Sequence, residues 1–175
     1  MKGMKCAEEL MIPLDNYPHI TYWATLRETI AILENSQIEV NGRITVPRVA
    51  LVFNEEYHLL GIIRRRDILR GIEPHFLKTK GFQYRKKLFD IDVDPNLSEL
   101  SFDKLLKDLK VQAQRPVKEF MLPIKVTVDY NNHVLKIIYE LVATNVSIIP
   151  VCKDGKVIGV VRSVDCLHEI SKLIL

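Results

Sequence analysis

The chain has 175 residues, 47% of them apolar and 27% charged, and 25 Lys and Arg against 22 Asp and Glu leave a net charge of +3. That balance belongs to an ordinary soluble globular protein, and it excludes disordered, collagen-like and disulfide-scaffold chains. The charge is too slight to imply nucleic acid or an anionic membrane as a partner. Cys6, Cys152 and Cys166 are an odd number with no Cys-x-x-Cys spacing, so free thiols in a reducing, cytoplasmic compartment are expected. No apolar run approaches the ~18 residues of a membrane span, and none follows the charged start Met1–Lys5 as it would in a signal peptide.

In chain order, a short helical turn leads into Met11-Ile12-Pro13, where proline disfavours helix at the residue before it. A strand follows over 19–23. The next helix carries Leu26, Ile30 and Leu33 on one face, with Thr25 and Glu28 spaced as a capping box. The stretch Ile38 to Pro47 contains the tight-turn pair Asn41-Gly42. Strands are expected over 48–53 and 57–63, joined by Asn54-Glu55-Glu56. A last helix starts near Arg65, with Ile68, Leu69 and Ile72 as its apolar face.

The same order then returns. Glu119-Phe120-Met121-Leu122-Pro123 matches Glu9-Leu10-Met11-Ile12-Pro13, and Gly159 to Asp165 matches Gly61 to Asp67. Between them lie a β-branched strand over 125–130 and a helix with Val134, Ile138, Leu141 and Val142, capped by Asn131 or Asn132. Strands over 147–152 and 156–161 flank the hairpin signal Asp154-Gly155. The final helix starts near Ser163, with Val164, Leu167, Ile170 and Ile174 apolar. The first match is offset by 110 residues and the second by 98, so the first copy is 12 residues longer. The surplus is expected at Leu14-Asp15-Asn16-Tyr17-Pro18 and at Ile38 to Pro47.

Each copy therefore reads β-α-β-β-α behind a helical turn, and a unit of about 60 residues is marginal alone. The chain is expected to be α/β (α+β), with copies at 1–73 and 116–175. A linker over 74–115 carries a basic cluster near 78–87 and a helix near 98–110 with Ser98-Glu99-Leu100-Ser101 at its start.

The doubled Gly-h-h-x-x-x-Asp run, the Pro150-Val151 pair and the two Met-x-Pro turns resemble the tandem cystathionine-beta-synthase (CBS) domain pair, often called a Bateman module. The resemblance implies two repeats packed pseudo-symmetrically sheet to sheet, with a cleft between them for an adenine nucleotide such as AMP, ADP or ATP. It implies that Asp67 and Asp165 hydrogen-bond ribose hydroxyls and that Thr21, Thr127, Ile149 and Pro150 border the base. It further implies a flat homodimer with helices at its interface and a protein partner regulated in trans. The hydroxyl position of the family's motif holds Arg64 and Arg162 here. Arginine cannot accept a hydrogen bond, but its planar fork clamps phosphate.

Each signal has a plainer reading. Asp67 and Asp165 can be helix-start aspartates contributing ~1 kcal/mol. Arg64-Arg65-Arg66 can be one arginine paired to Asp67 and two solvated. The basic cluster reads as a solvated loop rather than a nucleic-acid site. His19, His58, His75, His133 and His168 lack metal-ligand spacing, and no nucleophile–base constellation is present, so neither a metal site nor catalysis is expected. Cys152 and Cys166 read as inert core thiols. Tyr17, Tyr22 and Trp23 read as packing. The sequence thus points to a non-catalytic nucleotide-sensing module, with ligand-independent dimerisation or docking as the alternative.

Overall fold

The protein is described from a computed structural model covering residues 5–40, 42–74 and 102–175. The basic cluster at 78–87, the Ser98 cap and His75 lie outside these residues.

A short helix, α1 (Ala7–Leu10), ends at Met11 and leads into β1 (Ile12–Pro13), a single 3-10 turn over Leu14–Asn16 and β2 (His19–Thr21). Helix α2 (Leu26–Asn35) starts as its sequence requires. The Thr25 hydroxyl accepts from the Glu28 amide, and the Glu28 carboxylate accepts from the Thr25 amide at 2.7 Å, which is the reciprocal capping box. Strands β3 (Ile38–Val40) and β4 (Arg43–Thr45) then form a hairpin, with Gly42 at φ +74 supplying the left-handed turn. The sequence shows the turn there but not the strands around it. Strands β5 (Val49–Phe53) and β6 (Leu59–Arg64) and helix α3 (Arg65–Ile72) complete the first copy.

Helix α4 (Phe102–Gln112) runs two residues past the expected end and packs on α3, while its expected start near residue 98 lies outside the described residues. A 3-10 turn over Val117–Glu119 precedes β7 (Leu122–Pro123), β8 (Val128–Asp129), α5 (Val134–Ala143), β9 (Ile148–Lys153), β10 (Lys156–Arg162) and α6 (Ser163–Ile174). The cap of α5 is His133, whose Nδ1 faces the Leu135 amide, rather than Asn131 or Asn132. Asp154 and Gly155 both take positive φ in the β9–β10 turn, the conformation that a tight hairpin needs.

Two four-stranded sheets result, in the orders β2-β5-β6-β7 and β1-β10-β9-β8. Each therefore ends on a strand borrowed from the other copy. Strand β1 pairs antiparallel with β10 through Ile12↔Val160, and β7 pairs antiparallel with β6 through Leu122↔Ile62. The doubled glycine of the motif is explained here. A Cβ on Gly61 would sit 2.3 Å from the Leu122 carbonyl oxygen, and one on Gly159 would sit 2.5 Å from that of Ile12. Only glycine lets the borrowed strand approach.

The sheets face one another, and helices cover both outer faces. Alternation along the strands sets the layers. Val49, Leu51 and Phe53 of β5 point into the central core between the sheets, together with Ile148 and Val160; Ala50 and Val52 face α2 and α3 instead. Likewise Ile149, Val151 and Val161 face α5 and α6. The leading turns are also exchanged. Ala7 and Leu10 pack in the second copy's core, and Val117 packs in the first copy's.

The apolar faces of the last helices are only partly turned inward. Ile68 and Cys166 are buried, but Leu69, Val164, Leu167 and Ile174 are exposed, and so are Leu135, Tyr139 and Val142 of α5. On α5 it is Ile137, not Val142, that joins Val134 and Leu141 in the core. The outer surface of the second copy's helix layer is thus apolar, whereas α2 and α3 expose Arg27, Glu34, Arg65, Arg66 and Arg70. Of the aromatic trio, Tyr17 is buried and Trp23 is half exposed.

Candidate functional site

The two matched motifs form the same clamp at a helix start. Arg64 occupies the cap position of α3, and its Nε and Nη2 donate to the two oxygens of Asp67 at 2.8 and 3.0 Å. The Arg64 amide adds a third bond at 3.1 Å and Arg70 Nη2 a fourth at 2.8 Å. Arg162 caps α6 and grips Asp165 in the same bidentate way, at 2.7 Å on both oxygens. Arginine and aspartate three residues apart meet across the first helical turn, where the fork of one matches the carboxylate of the other. Asp67 is 0% exposed. Burial pushes its carboxyl up, but the bonds from Arg64 and the charge of Arg70 outweigh this and hold it below the ordinary value. The Arg64 guanidinium is correspondingly raised by its bond to Asp67.

Beside the first clamp opens a cleft of ≈ 290 Å³, near the lower end of the range for small-molecule sites. The first copy contributes Ile62 and Arg64 and the second copy the rest. Leu122, Pro123, Ile124, Val126, Val146, Ile148 and Pro150 form an apolar wall. Arg64, Lys125, Asn145, Ser147 and Ser163 form a polar rim, with no carboxylate among the described residues that line it. Asn145 is brought to the rim by the end of α5. There Val146 N–H donates to Leu141 O and Asn145 N–H to Val142 O, with Asn145 at φ +52, a Schellman ending that asparagine tolerates.

The expected site residues scatter around this cleft. Arg64 and Pro150 line it. Thr127 is an exposed neighbour of the lining residue Val126, and Asp67 lies behind Arg64. Ile149 points the opposite way from Pro150, into the core under α5 and α6. Thr21 sits on the edge strand β2 beside Phe53, away from the lining. Lys125, Asn145, Ser147 and Ser163 escape sequence reasoning, since they sit in loops and at a helix start whose meeting at one rim depends on how the strands they flank join the sheets. The Asn145 helix ending is the one local signal.

The pseudo-equivalent position, beside Arg162 and Asp165, is built differently. Leu14 and Tyr17 from the 3-10 turn region and Ile38 from the hairpin are buried there against Ile12 and Val160. Arg162 Nη1 donates to Thr45 Oγ1 at 2.8 Å and so ties the hairpin to the start of α6. Burial pushes the Tyr17 hydroxyl above its ordinary pKa, with Arg162 and Asp165 close enough to act on it. What hollow remains near Asp165, ≈ 200 Å³, is bordered by Glu9, Glu39, Asp165 and Glu169 against Lys5 and His168. That lining disfavours an anion. A third groove of ≈ 680 Å³, beside Tyr17 and His19, carries Asp15 and Glu39.

Two of the free thiols are held in the protonated form. Burial raises Cys152 and carries Cys166 to about 11, which leaves both protonated and poorly nucleophilic at neutral pH.

A family model described as CBS domain matches residues 8–74 and 117–172. Among solved structures, the chain is similar to the CBS domain of a CBS domain containing membrane protein from Sphaerobacter thermophilus. The identity is 18% and the TM-score 0.63, covering 94% of this chain and 87% of that one. It is also similar to CBSX2 in complex with AMP, at 14% identity and a TM-score of 0.60 over 97% of this chain and 98% of that one; CBSX2 comes from Arabidopsis thaliana. A putative acetoin utilization protein from Vibrio cholerae matches at 13% identity and a TM-score of 0.61, over 98% of this chain and 94% of that one. No curated protein sequence matches the chain.

Proposed function

We propose, from the premise that this chain belongs to the CBS domain family, that it is a non-catalytic regulatory module whose ligand is an adenine nucleotide such as AMP, ADP or ATP. The observation that carries this reading is the composition of the open cleft. An apolar wall suited to a base faces a rim of Arg64 and Lys125 suited to phosphate, with no carboxylate among the described lining residues. The likeness to CBSX2 in complex with AMP supports the ligand class. The ligand would touch Ile62 and Arg64 from one copy and Lys125 and Ser147 from the other. It would then favour one relative setting of the two halves, by no more than its differential affinity for the two settings.

The signal would reach a partner in trans. The apolar outer face of α5 and α6, with Tyr139, Val142 and Leu167 exposed, supports a homodimer, because a soluble surface rarely leaves such a patch bare. That same face also favours the second reading, a dimerisation or docking module that needs no ligand.

Thermal unfolding with AMP, ADP and ATP separates the two. A nucleotide at 100 times its Kd adds ~2.7 kcal/mol of stability. Ser147→Phe, which fills the rim, is expected to abolish that gain while leaving the unliganded protein folded. No stabilisation by any of the three nucleotides favours the docking module.

A further inference from the structure

The carboxylate that the motif would offer to a sugar beside the open cleft is already spent on arginine. Asp67 is 0% exposed and receives four donors, three from Arg64 and one from Arg70. A carboxylate has about four lone-pair sites, so no acceptor remains for a ribose hydroxyl, and no surface remains through which one could arrive. Arg64 is in the opposite position. Its side chain is 43% exposed and lines the cleft. Nε and Nη2 are held by Asp67, while Nη1 has no partner among the described residues. A guanidinium pinned on one edge is oriented in advance for an anion on the other. Lys125, exposed on the same rim, adds a second cation.

We infer that the open cleft selects its ligand by phosphate charge and not by ribose hydroxyls, with Arg64 and Lys125 as the anion anchors. This deepens the proposed function and rests on its placement of a nucleotide in that cleft. Affinity then rises with the number of phosphates, falls with added salt as the cations are screened, and is indifferent to the sugar's hydroxyls.

Isothermal titration of the full chain tests this with adenosine, AMP, ATP, 2′,3′-dideoxy-ATP and inorganic triphosphate at fixed ionic strength. The expected order puts ATP about tenfold or more ahead of AMP, the scale of one charge-assisted contact. Adenosine is expected to show no measurable binding, and dideoxy-ATP to bind within about threefold of ATP. Inorganic triphosphate is expected to compete with ATP. Removing Arg64 uncovers a buried carboxylate and endangers the fold, so Lys125→Ala is the second arm. It is expected to weaken ATP about tenfold and to leave the unfolding midpoint unchanged. A loss of about tenfold or more on deleting the hydroxyls, or adenosine binding as well as AMP, overturns the inference and leaves the nucleotide reading intact. Failure of every one of these compounds to bind overturns the nucleotide reading itself.

Discussion

The two copies carry the same clamp, yet one clamp borders an open cleft and the other a filled core. Both motifs present glycine, two apolar residues, arginine and aspartate in the same register, and both arginines grip their aspartates with two bonds. What differs is the chain that crosses in front. Leu14, buried in the first copy, stands where Ile124 lines the cleft in the second. The offset between copies falls from 108 at α2 and α5 to 99 at β5 and β9. Nine of the twelve surplus residues therefore lie in the segment that makes the β3–β4 hairpin. The motif builds a helix start, and whether a ligand can stand beside it is decided by loops the motif does not include.

That contrast can be broken at its largest point by emptying the filled side. Tyr17 is 4% exposed and packs in the central core. Tyr17→Ala is expected to cost ~3–5 kcal/mol, the range for truncating a buried aromatic, as read by urea unfolding. If that substitution proves neutral, the filled cleft is not a core.

The clamp itself gives the next effect. Asp67→Asn is expected to cost about 2 kcal/mol at pH 7, the scale of hydrogen bonds between charged groups. The Asp67 carboxyl is held below its ordinary value. Its contribution is therefore complete above the unfolded value of ~3.9 and disappears as pH falls through the lower folded value. The gap between wild type and variant should narrow in denaturant melts as pH falls below about 4, and close only below the folded value. A gap of constant size from pH 7 to pH 3 would mean that the charge of Asp67 contributes nothing.

The smallest expected effect lies at the tie between hairpin and helix. Thr45→Ala removes the oxygen that accepts from Arg162 and is expected to cost ~1 kcal/mol. Hydrogen exchange in β3 and β4 should rise with it.

Much of this architecture is legible in the sequence, for local reasons. The capping box at Thr25, the turns at Gly42 and Gly155 and the position of the surplus residues each depend on neighbours a few residues apart. The crossing of β1 and β7 is not legible, because two residues have no periodicity and nothing local says which sheet edge they join. Nor is the exposure of Leu69, Val164 and Leu167. An apolar helical stripe looks the same whether it faces its own sheet or the outside. The parity that turns Ile149 into the core and Pro150 toward the cleft follows only once the sheets are stacked.

The crossed strands also bear on how such a chain can be divided. A fragment ending at residue 73 would keep β6 but lose β7 from its edge, and would lose Val117 from beneath α2. The remaining piece would in turn lack β1 and the Ala7–Leu10 turn. Neither half is a closed body, since each sheet would gain a bare hydrogen-bonding edge of the kind that recruits foreign strands. Severed halves should therefore seek each other, or aggregate, rather than persist as independent units.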